Sequence, residues 1–161
     1  MDTPETTSVL FICLGNICRS PLAEGVFSHL LRQQGLDETI RVDSAGTGSW
    51  HVGEMADPRS REVAGRHGIT LPSRARQVTP SDLRDFDWVV AMDRSNLQAL
   101  EEIRDEDGGD ARLVLLRDFD PEPGDGEVPD PYYGGPRGFD TVYEMVLRSS
   151  HGLLEAVQGD D

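Results

Sequence analysis

Short apolar runs alternate with segments of helical periodicity along this chain, and that alternation restricts it to one class of architecture. Ser8 to Ile12, Ile40 to Ala45, Trp88 to Met92 and Arg112 to Leu116 each read as a short buried strand. Between the first two, Pro21 to Gln34 carries apolar residues at 22, 26 and 30, with companions at 23, 27 and 31, which predicts one face of a helix. Ser20 suits the N-cap, Pro21 the first helical position and Gly35 the stop. Asp57-Pro58 opens a second helix ending near Gly68, and Asp93 caps a third that runs to about Ile103. A last helix spans Phe139 to Gln158, with Val142, Val146, Leu153 and Val157 on one side. Strands alternating with helices predict right-handed βαβ units: an α/β fold whose parallel sheet is covered on both faces.

Two stretches fall outside this pattern. Asp105 to Asp110 is acidic and glycine-rich, and is expected to be a solvated turn. Arg117 to Gly138 has four prolines before Tyr132 and a Gly-Gly after Tyr133; a connection of that length signals function or disorder. At 161 residues the chain fits a single domain, with 1–7 and 159–161 expected as flexible ends. Its apolar runs are too short to span a bilayer, and no basic segment precedes an apolar one at the N-terminus. No membrane association is expected, and a cytoplasmic location is.

Charge and cysteine content exclude several chemistries. Thirty acidic residues against fifteen basic ones give a net charge of −15, which repels nucleic acid. All fifteen basic residues are arginine, so neither a Walker-type nucleotide loop nor Schiff-base catalysis has its lysine. Cys13 and Cys18 are the two cysteines, close together, and do not form a secreted disulfide framework. His29, His51, His67 and His151 lack metal-type spacing relative to them, so neither a metal nor another cofactor is expected, and each histidine reads as a surface or capping residue.

The segment Cys13-Leu14-Gly15-Asn16-Ile17-Cys18-Arg19-Ser20 joins the first strand to the first helix, where ligands bind in open α/β sheets. A loop there aims backbone N–H groups and the positive end of a helix dipole at one point, a nest for a phosphate dianion. The same field favours a thiolate on Cys13. The Arg19 fork can hold two phosphate oxygens, and Ser20 can donate to the sulfur. Gly15 and Asn16 tolerate the left-handed conformations a tight cradle needs. The alternative is a core cysteine after a strand, with an arginine six positions on by chance.

CLGNICRSP, DSAGTGSWHVGE, MDRSNL and DPYYGG together resemble the low-molecular-weight protein tyrosine phosphatases, in register from about Val9 to Leu154. The resemblance implies a three-layer α/β/α fold on a four-stranded parallel sheet, with the phosphate-binding loop between first strand and first helix. It implies hydrolysis of phosphotyrosine in protein substrates, with Cys13 as nucleophile, Arg19 binding phosphate and Asp130 as general acid. Asn16, Ser20 and Ser44 would hold the cradle by hydrogen bonds. Trp50, Tyr132 and Tyr133 would wall the substrate cleft, alongside the cradle residues Leu14, Gly15, Ile17 and Cys18. In such proteins the cysteine matching Cys18 can form a disulfide with the nucleophile; read from the residues alone, Cys18 is equally an apolar filler. Asp130 has its own alternative as a turn residue before Pro131. Ser73 stands where the family often has a histidine touching the cradle asparagine, which leaves the support of Asn16 open. A monomer or weak dimer is expected. Two competing functions are thioredoxin-linked arsenate reduction, which calls for further cysteines, and a dead phosphate-binding module, which would lack nucleophile or acid.

Overall fold

A computed structural model of the chain describes residues 6–131 and 136–159. Four strands, β1 (Thr7–Cys13), β2 (Ile40–Gly46), β3 (Trp88–Ala91) and β4 (Arg112–Leu115), form one sheet in the order β2-β1-β3-β4. All three pairings are parallel, with Phe11 opposite both Ser44 and Val90. Because β1 is flanked by β2 on one side and β3 on the other, the chain leaves β1 in one direction and later returns in the other. The crevice opened by that reversal lies beyond the end of β1.

Period-two alternation sends Val9, Phe11 and Cys13 to one face and Leu10 and Ile12 to the other. The first face is covered by α1 (Arg19–Gln33), α2 (Pro58–Arg66) and α5 (Pro136–Gln158) through Leu22, Val26, Val63, Val142 and Val146. Phe11 meets Phe27 edge-on, ring centroids 5.6 Å apart. The second face is covered by the short α3 (Asp82–Asp85) and by α4 (Arg94–Asp107), through Leu83 and Leu100. This is the three-layer α/β/α arrangement expected from the alternation, and Cys13 lies on the α1 side of it.

The structure corrects several boundaries. Ser20 does not cap α1: the helix begins at Arg19, Cys18 holds the cap position, and Pro21 is the third helical residue. The cradle winds straight into the helix, and the Ser20 hydroxyl is engaged by Cys13 and Asn16 instead. Asp57 and Asp93 do cap their helices, accepting from Arg59 N and Asn96 N. The stretch 105–110 is not all turn, since α4 continues to Asp107 and stops at Gly108, where φ is 79°. The stretch 117–138 is not structureless either: a 3-10 turn occupies Leu116–Phe119 and α5 starts at Pro136. β1 begins at Thr7, inside the end expected to be flexible, while Gly35 ends α1 as expected with φ 69°.

Candidate active site

The cradle from Cys13 to Arg19 is held by a directed set of hydrogen bonds centred on Asn16. Its backbone is left-handed (φ 57°), which turns the side chain back into the loop. Gly15, expected to share that conformation, does not have a positive φ; a Cβ there would meet His51 Cδ2 at 2.9 Å. The Arg76 backbone N–H donates to Asn16 Oδ1 (3.0 Å), which orients the amide. Both amide hydrogens are then committed, to Ser20 Oγ (2.8 Å) and to Ser44 Oγ (3.0 Å). Ser20 Oγ, which accepts from Asn16, lies 3.0 Å from Cys13 Sγ and 3.5 Å from Ala45 O, and the Asn16 backbone N–H donates to the same sulfur at 3.2 Å. The end of β2 closes against this loop through Gly46, where a Cβ would stand 2.8 Å from Leu14 O.

Behind Ser44 the network ends on a carboxyl the sequence did not single out. Ser44 Oγ donates to Glu24 Oε1 (2.6 Å), and Ser73 Oγ donates to the same oxygen (2.9 Å). Ser73 therefore supports the cradle at one remove, through Glu24 and Ser44, and Asn16 takes its remaining partner from the Arg76 backbone. Burial pushes the Glu24 carboxyl above its usual range, the two serine hydrogen bonds offsetting only part of that effect.

Arg19 is 2% exposed and is gripped from below. Its Nη1 donates to Asp93 Oδ2 (2.7 Å) and to Val128 O (3.0 Å), while Nη2 lies 3.7 Å from Asp130 Oδ2. Burial alone would lower the Arg19 pKa, but the charges of Cys13 and Asp93 outweigh it and the net shift is upward. Asp93 thus does two jobs, capping α4 with Oδ1 and fixing Arg19 with Oδ2. Only the first was legible from its place before a helix; an acidic residue at the carboxyl end of a strand beside the crevice was the available signal for the second.

Cys13, Leu14, Gly15, Ile17, Cys18, Arg19, Trp50, His51 and Asp130 line one cleft of about 460 Å³. Asn16, Ser20 and Ser44 lie behind it, buried. Trp50 stands at the rim, 71% exposed, and Leu14 is also exposed. His51, read from the sequence as a surface or capping residue, borders the cleft and lies 3.1 Å from Glu54. Tyr132 and Tyr133 lie outside the described residues. Both cysteines are free, and burial is the main cause that pushes the Cys18 thiol up to about 12. Cys18 therefore stays protonated at neutral pH. Among the described residues no helix is long and apolar enough to cross a membrane.

Comparison with known proteins agrees with this geometry. Residues 8–161 match the family model described as low molecular weight phosphotyrosine protein phosphatase. A low molecular weight protein-tyrosine-phosphatase of Streptomyces coelicolor is 48% identical over 155 residues, 95% of this chain and 94% of the relative. The human low molecular weight phosphotyrosine protein phosphatase is 42% identical, covering 96% of this chain and 98% of its own. The crystal structure of YfkJ from Bacillus subtilis superposes with a TM-score of 0.90 at 38% identity, covering 98% of each chain.

Proposed function

The chain belongs to the low molecular weight phosphotyrosine protein phosphatase family and is a protein tyrosine phosphatase, and we propose that Cys13, Arg19 and Asp130 carry its reaction. The observation that supports this most is the Cys13 sulfur on the wall of the cleft, with the Asn16 N–H donating to it, the Ser20 hydroxyl 3.0 Å away, and Arg19 and Asp130 lining the same cleft. The Cys13 thiolate attacks phosphorus and the phosphorus–oxygen bond to the leaving phenol breaks. Arg19 and the unsatisfied N–H groups at the start of α1 stabilise charge on the remaining phosphoryl oxygens. Asp130, protonated, gives its proton to the departing phenolate. Water then attacks the phosphocysteine, Asp130 accepts its proton, and phosphate leaves with the thiolate restored. Ser20, by donating to the sulfur, makes the thiolate a better leaving group in this second step.

Trp50 and Leu14 supply an apolar rim that suits an aromatic ring, which favours phosphotyrosine over the shorter phosphoserine. Turnover of p-nitrophenyl phosphate in the presence of a chelator, with phosphotyrosyl peptide preferred over phosphoseryl peptide, is the expected result. A Cys13→Ser variant that still turns over substrate would remove the mechanism, and a folded wild type with no turnover would leave a binding module.

The acidic surface belongs to the same proposal. On α4 alone, Glu101, Glu102, Asp105 and Glu106 are exposed. With a net charge of −15, such a surface opposes both compaction and an anionic substrate. We place the enzyme in a saline cytoplasm, as a monomer or weak dimer with phosphotyrosyl proteins and no nucleic acid as partners. Between low and molar KCl the Debye length falls from about 10 Å at 0.1 M to about 3 Å at 1 M, so Tm should rise. A flat or falling Tm would reject the salt adaptation.

A further inference from the structure

The acid-bearing segment between the 3-10 turn and Asp130 is built around a second buried arginine, Arg117, 3% exposed. Its Nη1 donates to Glu127 O (2.6 Å) and contacts Met145 Sδ (3.0 Å). Its Nη2 donates to Glu122 O (3.0 Å), and Nε lies 3.0 Å from Asp120 Oδ2. Asp120, fully buried at its side chain, also accepts from Arg148 Nε (3.1 Å), Arg148 Nη2 (3.2 Å) and the Glu122 N–H (2.8 Å). One guanidinium therefore spans the segment, taking carbonyls from near its beginning and near its end.

The adjacent carbonyl belongs to the phosphate site. Glu127 O accepts from Arg117, and Val128 O, one residue on, accepts from Arg19 at 3.0 Å. The Val128 N–H donates to Met92 O (2.8 Å) at the end of β3, and its side chain is wholly buried. Pro129 has a fixed φ, so the direction set at 127–128 carries to Asp130 with little freedom. We propose that Arg117 is a positioning residue for the general acid: by pinning Glu122 and Glu127 it registers Val128 on Arg19 and holds Asp130 over the cleft. It deepens the catalytic reading above and rests on Asp130 being the acid.

The test is kcat/KM across aryl phosphates whose leaving phenols range from weakly to strongly acidic, alongside Tm. Arg117→Lys keeps the charge beside Asp120 but cannot span both carbonyls. It should lose about tenfold or more with phenyl phosphate, part of the 10²–10⁴ that general acid catalysis is worth, and much less with the most acidic phenols. Combined with Asp130→Asn it should cost no more than Asp130→Asn alone on poor leaving groups, because the two act on one step. Arg148→Met is the control: Arg148 binds the same Asp120 but, among the described residues, donates to no loop carbonyl, so it should lower Tm without steepening the leaving-group dependence. If Arg117→Lys does not fold at the assay temperature, Arg117→Gln takes its place. A loss equal for all leaving groups, a loss additive with Asp130→Asn, or no loss overturns the proposal. Asp130→Asn with a leaving-group dependence like wild type would instead remove the acid assignment, and this proposal with it.

Discussion

The two halves of the site are held by different forces. Around the sulfur and Asn16 the cradle is supported by neutral donors and acceptors, and the carboxyl at the end of that network, Glu24, has its pKa raised by burial. The acid segment, residues 117–130, is supported by charge: Arg117 and Arg148 on Asp120, with Arg19 donating to its Val128 carbonyl. Asp120 shows the opposite shift to Glu24. Burial pushes its carboxyl up, but the hydrogen bonds from Arg148 and the Glu122 N–H more than offset this, and its pKa is lowered. A proline- and glycine-rich segment with little regular structure needs strong, directional anchors, which buried guanidinium groups supply.

Arg19 touches both halves, so its loss should be the largest. Arg19→Ala is expected to lower kcat by about 10³ or more, and Arg19→Lys should not restore it, since a point charge cannot hold Asp93, Val128 O and phosphate together. Substantial kcat in either variant, with the fold intact by circular dichroism, would separate the halves.

Next in size, the two halves should respond differently to leaving-group acidity. Asp130→Asn should slow poor leaving groups by about 10²–10⁴ and acidic phenols less. Asn16→Ala takes the acceptor from the Arg76 N–H and one donor each from Ser20 and Ser44, which keep Cys13 and Glu24, and should cost about 1–3 kcal/mol. Its loss of kcat should be the same for every leaving group, because it disturbs the sulfur and not the proton. A leaving-group-dependent Asn16→Ala would blur the distinction.

The smallest effect is the most specific, and it is one of pH. Glu24 has a folded pKa above its unfolded value of about 4.3, so its contribution to stability is full below that value and is lost as pH rises through the folded pKa. Glu24→Gln keeps an oxygen for Ser44 and Ser73 without the charge, so its Tm relative to wild type should improve from pH 4 towards pH 8. Asp120, with its lowered pKa, contributes stability present above about 3.9 and lost as pH falls through the folded value, so the acid segment should fail first in acid. A Tm difference for Glu24→Gln that is constant across pH would mean that its charge costs the cradle nothing.

The sequence by itself determined the elements and the cradle, because both are short-range. Strand and helix follow from periodicity, and the residues from Cys13 to Ser20 lie on one continuous strand–loop–helix, so their nearness requires no folding argument. Even there the local reading slipped where a side chain had two possible partners: Ser20 looked like a helix cap and is bonded to the sulfur and to Asn16. What tertiary structure alone decided is which polar groups meet across the fold. Arg19 meets the carbonyl of a residue 109 positions away, and Asn16 is oriented by a backbone N–H 60 positions away. Glu24 and Arg117 carry no local pattern that distinguishes them from solvated charges on helices and turns, and the pattern around Asp93 shows its cap but not its grip on Arg19. They acquire their roles when the sheet order puts β1 between β2 and β3, bringing the ends of three strands to one crevice. Burial there makes each unpaired charge or carbonyl costly, so the chain satisfies them with one another.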